Sequence, residues 1–576
     1  METLKKNSLA VATPILLIIL AISNIFCPLL VESCNAIDKE ALFHFKRGIL
    51  YDPMPNYHGL DTWVPKTDCC VEWRGVSCDP TNGRVVDLHM SGFRDEGGVD
   101  SNFGLVGTLS PYLGNFTYLQ TLIFHDLVDI SGPIPPELGK LSHLETLILS
   151  NSKLNGSIPS TLGNLHKLKD LELGNNSLSG TIPDSLFQSM KSLLTLELEG
   201  NLLTGSIPSS FSNLVSLKKL YLRRNFLSGP IPLGITKLKR LTYIDLSNNN
   251  MTGRIPDTIG NLPKLQSLYL NHNKLTGPIP NSLVKLSQLQ DLHLDHNKIT
   301  GPIPKSLGEL SQLQNLYLDH NRLTGPIPSS LGSLISLEVL NLADNKMTGV
   351  LPCSIGNITR IQKIVLENNM ITGKLPPTMG HLTKLYDVLF SNNQFVGQIP
   401  SSFGNLKLNN LHLSKNQLTG PLPQLEFQPK SYDNNFDLSY NPLGLEKIPD
   451  WLFKLNIYNL TLVGSGIKGK LPQSIRTTYT SYFHLYHLDL SSNQIPGKLP
   501  SWIGNMSYLE SLNLSNNRLS GSILRDLLNL NNLYDFDVSR NKLSGRIPPH
   551  NISYPASAFS GNLGLCDSPL PPCKHL

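Results

Sequence analysis

The sequence predicts an α/β solenoid, in which the chain winds into about 18 or 19 coils of ~24 residues and each coil adds one short strand. Three observations support this fold class. Between Leu193 and Lys384 one asparagine recurs every 24 residues, an aliphatic residue lies three positions before each asparagine, and a glycine-containing turn signal that ends in proline follows. The recurring asparagines are Asn201, Asn225, Asn249, Asn273, Asn297, Asn321, Asn345 and Asn369.

The unit at residues 265–288 shows why the repeat forms a coil. Leu268 and Leu270 alternate with polar or aromatic residues, so a short strand points its leucines inward and the residues between them outward. No single unit buries these leucines alone, whereas stacked units form a continuous core. Asn273 falls where the chain turns off the strand, and its amide has two donors and an acceptor for backbone groups that the turn leaves unpaired. We therefore expect a buried ladder of asparagines.

The turn of the same unit is marked by Gly277 and Pro280, because glycine permits a positive φ and proline ends strand pairing. The whole unit reads LxxLxLxxNxLxGxIPxxLxxLxx, and its Gly-x-Ile-Pro part recurs from residues 132–135 to residues 545–548. This pattern resembles the plant-specific class of leucine-rich repeat. The resemblance implies a plant-specific leucine-rich repeat superhelix with a disulfide-bonded cap at each end.

The first segment, residues 1–33, is predicted to be a secretory signal peptide. Lys5 and Lys6 precede an apolar run that extends from Pro14 to Val31, and small residues follow it. An uncleaved membrane anchor is the alternative, although polar residues and a proline interrupt the apolar run. We expect a secreted chain in the extracellular space, apoplast or cell wall, with no membrane span after cleavage.

The segment at residues 34–82 does not repeat, and it resembles the N-terminal cap of plant extracellular leucine-rich repeat proteins. An amphipathic helix is predicted around residues 41–46, and a cysteine doublet follows. In that family the first cysteine pairs with the first of the doublet and the second of the doublet with the last. The resemblance therefore implies the disulfides Cys34–Cys69 and Cys70–Cys78, in a cap that covers the core of the first coil.

The last segment, residues 551–576, resembles the C-terminal cap of the same family, which implies a Cys566–Cys573 disulfide. Between the caps we expect regular coils, then irregular repeats with enlarged loops, then regular coils again. In chain order these three sections are residues 83–423, 424–486 and 487–550. Cys353 lies at a turn position that is polar in other units, so we expect it near the surface, as a free thiol or in an intermolecular disulfide.

Glycosylation is expected because the chain contains nine Asn-x-Ser/Thr sequons, which accept glycans in secreted proteins. Two of them, Asn175 and Asn513, flank strand positions and are expected to be less accessible. The nine acceptors are Asn115, Asn155, Asn175, Asn250, Asn357, Asn459, Asn505, Asn513 and Asn551.

Composition and motifs argue against several classes of function. The formal net charge of +5 is spread over 576 residues without basic runs, so nothing favours nucleic-acid binding. No motif brings together a nucleophile and a base, a carboxylate pair or a metal cage. We therefore expect no catalytic residues, no cofactor and no metal site.

The outward strand positions supply the candidate ligand-binding residues. Positions one period apart lie on adjacent strands, roughly 4.8 Å from each other, so they form columns on the concave face of the solenoid. One column carries amphipathic rings, and the next carries carboxylates and an arginine. Such side chains on a fixed backbone are typical of binding hot spots. The candidates are Tyr221, Arg223, Arg224, Tyr269, Asn271, His293, Asp295, Tyr317 and Asp319.

A third column, His272, His296 and His320, lies immediately before the ladder asparagines. It is open to three interpretations: a solvated strand end, a transition-metal site without a closed ligand set, or a group of imidazoles that gain charge in mildly acidic extracellular fluid. Arg223 and Arg224 together form a candidate site for the carboxylate of a peptide or an acidic sugar.

The whole mature chain resembles the plant extracellular leucine-rich repeat superfamily, which includes receptor-like proteins, receptor-kinase ectodomains and polygalacturonase inhibitors. The resemblance implies a secreted, non-enzymatic recognition protein. It would bind a peptide or protein ligand on the concave face, in defence or developmental signalling with a membrane receptor kinase as partner. The alternatives are an inhibitor of a microbial cell-wall-degrading enzyme, such as a polygalacturonase, and a truncated or decoy receptor ectodomain.

Overall fold

The computed structural model describes residues 33–52, 59–92, 105–427, 434–454, 457–474 and 485–573. The signal peptide and membrane anchor predicted for residues 1–33 lie outside these residues, except for Ser33. The chain divides into two compact units, which are Met1–Ser179 with Ser185–Leu193, and Gly180–Asp184 with Leu194–Leu576.

The first unit begins with the predicted cap. Its α-helix, Ala36–Arg47, starts at Asn35, whose side chain accepts a hydrogen bond from the backbone of the second helical residue. The carboxylate of Asp38 is fully buried and accepts two hydrogen bonds from Arg84, at 2.8 and 2.9 Å, which joins the helix to the first long strand. Both predicted disulfides, Cys34–Cys69 and Cys70–Cys78, are present.

Two sheets follow the cap in the first unit. In each sheet the first strand is antiparallel to the second and the later strands are parallel. The main sheet contains Val76–Cys78, Val85–Ser91, Thr121–His125, Thr146–Ser150 and Asp170–Glu172. The second sheet contains Ile49–Tyr51, Val106–Thr108, Ile130–Pro133, Lys153–Gly156 and Ser177–Thr181.

The second unit carries one strand of its main sheet in every coil. Each strand pairs in parallel with the strand of the next coil, which confirms the predicted solenoid. These strands are Thr195–Glu197, Lys219–Tyr221, Tyr243–Asp245, Ser267–Tyr269, Asp291–His293, Asn315–Tyr317, Val339–Asn341, Lys363–Val365, Asp387–Leu389, Asn410–His412, Asn435–Asp437, Asn459–Thr461, His487–Asp489, Ser511–Asn513 and Asp535–Asp537.

The other sides of most coils in the second unit carry further short strands of two to five residues. They are Leu202–Gly205, Phe226–Gly229, Asn250–Met251, Thr276–Gly277, Lys298–Gly301, Arg322–Gly325, Lys346–Met347, Thr372–Gly373, Gln394–Gly397, Lys407–Leu408, Gln417–Leu418, Glu426–Phe427, Pro496–Gly497, Arg518–Gly521, Lys542–Arg546 and Gly564–Cys566. Proline commonly precedes a single 3₁₀ turn, such as Asn281–Lys285, and one α-helical turn is present at Arg525–Leu528.

The asparagine ladder forms as expected. The amide nitrogen of Asn297 donates to the carbonyl oxygens of Leu270, Leu294 and Asp295, at 2.9, 3.2 and 3.1 Å. Its amide oxygen accepts the backbone N–H of Leu275 at 2.9 Å. The same pattern recurs at the equivalent asparagines, all of which are buried. Each ladder asparagine therefore ties its own turn to the preceding coil.

The later part of the second unit keeps this register. The strands Asn435–Asp437 and Asn459–Thr461, within the section predicted to be irregular, pair in parallel with their neighbours. The Cys566–Cys573 disulfide of the C-terminal cap is present, and Cys353 is exposed and unpaired.

Candidate ligand-binding face

The solvent side of the main sheet in the second unit, here called the strand face, presents the candidate residues. Leu268 and Leu270 are buried, whereas Tyr269 between them is half-buried on the outer side, as the alternation predicts. Register places Tyr269 opposite His293, and His293 opposite Tyr317, on successive strands. The predicted column is therefore a row of adjacent side chains.

Five rings form a continuous row on this face, which we call the aromatic strip: Tyr221, Tyr243, Tyr269, His293 and Tyr317. The distances between successive ring centroids are 4.6, 5.4, 4.6 and 4.4 Å. Such spacings are those of packed aromatic pairs. The strip thus spans five adjacent strands.

Tyr243 is the member that sequence reasoning missed. The column position on its strand is Asp245, which is only 3% exposed. The ring of Tyr243, two residues earlier on the same side of the strand, contacts both Tyr221 and Tyr269 and closes the gap. Examining positions two residues apart on one strand, and not single columns alone, would have identified it.

Arg223 is already engaged within the strand face. Its Nε and Nη2 atoms donate to the two carboxylate oxygens of Glu199, at 2.6 and 2.9 Å, and Asp245 lies 3.9 Å from its Nε. The hydrogen bonds to Glu199 raise the pKa of Arg223. Arg224 is exposed, with its backbone at φ 53°. Arg223 is therefore paired within the strand face while Arg224 is exposed, and their joint binding of a ligand carboxylate stays a prediction.

Asp295 and Asp319 follow His293 and Tyr317 of the strip by two residues and are 7% and 6% exposed. Burial raises the pKa of Asp319, and the hydrogen bond from His320 opposes this shift. Asn271, the equivalent residue on the previous strand, is half-buried, and its side-chain oxygen has no hydrogen-bond partner. The two aspartates therefore form the floor of the strand face, whereas Asn271 is half-buried like the rings of the strip.

The third column forms a stack of imidazoles. The ring centroids of His272 and His296 are 4.0 Å apart, and those of His296 and His320 are 4.1 Å apart. Burial, and then the neighbouring His296, lowers the pKa of His272 below 6.5. Burial likewise lowers the pKa of His293. For His272, the lowered pKa runs against the interpretation that the imidazoles of this column gain charge in mildly acidic fluid.

A second stretch of the strand face has a different chemistry. Asn410 donates to Asp387 at 2.8 Å, Asn435 donates to Asn410 at 2.8 Å, and Asn459 donates to Asn435. We call the three asparagines the amide row. A groove of about 460 Å³ lies beside it, lined by polar residues that include His412.

Comparison with known proteins places these features in a family. Residues 35–79 match the leucine rich repeat N-terminal domain family, and residues 232–343 match a leucine-rich repeat region. A crystal structure of the Arabidopsis receptor kinase HAESA, in complex with the peptide hormone IDA and the co-receptor SERK1, is 30% identical, with a TM-score of 0.62. The alignment covers 92% of this chain and 98% of that one. The chain belongs to the plant extracellular leucine-rich repeat superfamily.

Another receptor structure agrees with this leucine-rich repeat assignment. The plant peptide hormone receptor RGFR1, in complex with RGF2, is 29% identical, with a TM-score of 0.67 and coverage of 80% of this chain and 81% of that one. None of the helices in the described part of the chain has the length and apolar content that a bilayer crossing requires.

Curated leucine-rich repeat relatives match over shorter segments. A polygalacturonase inhibitor from Vitis vinifera is 35% identical over 135 residues, which are 23% of this chain and 34% of that protein. The DNA damage-repair/toleration protein DRT100 from Arabidopsis thaliana is 39% identical over 109 residues, which are 18% of this chain and 28% of that protein. The matched segments thus span about a third or less of these relatives.

The sequons fall on different surfaces of this repeat protein. Asn175 is exposed, contrary to the reduced accessibility expected of it. Asn459 and Asn513 are half-buried on the strand face, where their amide nitrogens donate to Asn435 and Asp489. A glycan at either position would displace these hydrogen bonds, so these two are the least favourable acceptors on structural grounds.

Proposed function

We propose that this chain is a secreted, non-enzymatic recognition protein that binds a peptide or protein ligand on the strand face. It acts in defence or developmental signalling, and a membrane receptor kinase is its partner. The observation that carries the proposal is the aromatic strip, because five packed rings on a rigid sheet offer a large contact area that loses little entropy on binding.

The chemistry of the surroundings narrows the ligand class. The charge of Arg223 is balanced by Glu199, and the floor contains Asp295 and Asp319, so the strip does not favour an acidic ligand. Half-buried rings next to acceptors suit a segment with apolar side chains and hydrogen-bond donors. An extended peptide presents both.

Two similar structures support the proposal by analogy. The HAESA structure contains the peptide hormone IDA and the co-receptor SERK1, and the RGFR1 structure contains RGF2. Both are ectodomains of the same architecture, and fold alone does not determine the ligand. The residues that would bind must therefore be tested directly.

The first experiment is capture from plant extracellular fluid with the purified, tagged chain. We expect receptor-kinase or peptide partners to be identified by mass spectrometry with the wild type. A variant with Tyr269→Ala, His293→Ala and Tyr317→Ala should capture at least tenfold less of these partners than the wild type, because it removes three adjacent rings.

A matched control uses the same column in the amide-row section. The variant with His412→Ala, Asp437→Ala and Thr461→Ala changes three residues on neighbouring strands and should leave capture within twofold of wild type. Equal capture by the aromatic-strip variant and the wild type would refute the proposed surface. Circular dichroism and thermal unfolding verify that both variants fold.

The second candidate function is inhibition of a microbial polygalacturonase. The observation that favours it is the 35% identity to the Vitis vinifera polygalacturonase inhibitor. Release of reducing ends from polygalacturonic acid by fungal polygalacturonases, measured with and without the chain, distinguishes the two. We expect no inhibition at micromolar concentrations of the chain, and stoichiometric inhibition would favour the second function.

A further inference from the structure

The histidine stack consists of His272, His296 and His320, which occupy the same position in three successive coils. All three residues lie in left-handed backbone conformation, at φ 53°, 51° and 50°. In two other coils the equivalent positions are occupied by Asn248 and Asn368, which also have a positive φ. The backbone therefore does not require histidine there, although histidine and asparagine are both tolerated in this conformation.

Two carboxylates meet this stack. The Nδ1 atom of His296 lies 3.1 Å from Oδ2 of Asp295 and 3.8 Å from Oδ2 of Asp319. The same oxygen of Asp319 lies 2.9 Å from Nδ1 of His320. His272, Asp295 and His296 form one triad of close ligand atoms, and His296, Asp319 and His320 form a second, each within 4.8 Å.

These distances are those of ligands around one ion. Bonds of about 2.1 Å from zinc to imidazole nitrogen or carboxylate oxygen place neighbouring ligands about 3.0 Å apart in an octahedron and about 3.4 Å apart in a tetrahedron. In the triad of His296, Asp319 and His320, Oδ2 of Asp319 lies 2.9 Å from Nδ1 of His320 and 3.8 Å from Nδ1 of His296, on either side of both values.

The burial of the two carboxylates is a second, independent observation that points to a cation. The side chain of Asp319 is only 8% exposed and its Oδ1 atom has no hydrogen-bond partner. The side chain of Asp295 is 11% exposed, and its Oδ1 atom also lacks a hydrogen bond, with Nδ1 of His293 3.9 Å away. A buried carboxylate with an unpaired oxygen is costly unless a positive charge compensates it. A divalent ion held by Oδ2 and the neighbouring imidazoles would supply that charge.

We propose that the second unit binds one divalent transition-metal ion, such as Zn²⁺ or Ni²⁺, between His296, Asp319 and His320, with Asp295 and His272 completing the surroundings. Imidazole ligands favour these ions, whereas Mg²⁺ and Ca²⁺ prefer oxygen ligands alone. One ion binds per chain, because the two triads share His296 and two dications a strand apart would repel each other. The site does not depend on the proposed ligand, since it forms within the chain.

The test uses the purified full chain with Cys353→Ser, which removes an exposed thiol that would bind the same metals. After treatment with a chelator, Zn²⁺ binding is measured by calorimetry and Co²⁺ binding by visible absorption. We expect one equivalent to bind with a dissociation constant in the micromolar range or tighter, and a Co²⁺ spectrum with nitrogen ligands.

His296→Asn should weaken binding at least tenfold, because it removes the ligand common to both triads. The thermal unfolding of this variant should match that of the parent, since asparagine occupies this position in other coils. His381→Asn, at an exposed histidine of a 3₁₀ turn, is the matched control and should leave binding unchanged. The absence of saturable binding, or equal affinity in the His296→Asn variant, would overturn the proposal.

Discussion

The aromatic strip and the amide row lie on the same sheet, in the same register, over the same leucine core, yet their side chains behave differently. In the amide row each asparagine donates to the one before it, and Asp387 accepts at the end, so the polar groups pair with one another. In the aromatic strip the rings contact each other and remain half-exposed. The scaffold therefore sets the spacing of side chains, and their chemistry decides whether a stretch is self-paired or open to a ligand.

The largest loss of stability is expected at the ladder asparagines, which support both the aromatic strip and the amide row. Asn297→Ala near the aromatic strip and Asn493→Ala near the amide row each remove a buried amide that pairs several backbone groups. Because those groups become unsatisfied, each change should cost about 3 kcal/mol or more of local stability. Hydrogen exchange of the backbone amides in the flanking strands measures this loss of local stability, since solenoids open locally.

The exposed residue beside the ladder, Lys298, offers the control for this prediction. Lys298→Ala should leave exchange within experimental error of the wild type. Protection that survives in one asparagine variant but not in the other would show that the two stretches do not share one scaffold.

A smaller effect is expected at the ion pair that borders the aromatic strip. Arg223→Gln removes the partner of Glu199, whose side chain is only 10% exposed, while the arginine itself is 42% exposed. Because the pair is partly solvated, we expect a loss of about 1 kcal/mol in chemical denaturation. Capture of partners should remain within twofold of wild type, since Arg223 is occupied. Loss of capture equal to that of the ring variant would mean that the arginine turns to the ligand.

The smallest effect concerns the pH dependence of stability at Asp245, two residues after Tyr243 on the same strand. Burial raises the pKa of Asp245 above its ordinary 3.8, so the folded chain holds this proton more tightly than the unfolded chain. The associated stability is complete below pH 3.8 and is lost as the pH rises through the raised value. The melting temperature of the wild type relative to Asp245→Asn should therefore fall as the pH increases from 3.5 to 6.

An exposed aspartate in a 3₁₀ turn, changed as Asp257→Asn, controls for general acid effects. If the melting temperature of the wild type instead rose with pH relative to Asp245→Asn, the attraction of the Asp245 carboxylate to Arg223, 3.9 Å away, would outweigh the effect of burial.

The repeat allowed much of this arrangement to be predicted from sequence. The ladder asparagines, the inward leucines and the row of Tyr269, His293 and Tyr317 follow from a fixed period and the alternation of a strand. The cap disulfides followed from resemblance to a family. These features depend on backbone register, which a regular repeat determines.

Other features depend on side-chain conformation, which the period does not determine. Glu199 and Arg223 lie one period apart, so their proximity was foreseeable, but the two-point hydrogen bonding that occupies the arginine was not. Tyr243 contacts two rings from outside the column, whose position on this strand is taken by the buried Asp245. The unpaired oxygens of Asp295 and Asp319 are likewise visible only once the neighbouring atoms are placed.

We propose that ligands bind this chain at the aromatic strip and not at the amide row. The most direct test places a photoreactive phenylalanine analogue at Tyr269 or at Thr461, which occupy one column of the same sheet, and irradiates each chain in plant extracellular fluid. We predict crosslinked adducts from position 269 and none above background from position 461. Equal adducts from both positions, or adducts from position 461 alone, would show that the aromatic strip is not the preferred ligand-binding surface.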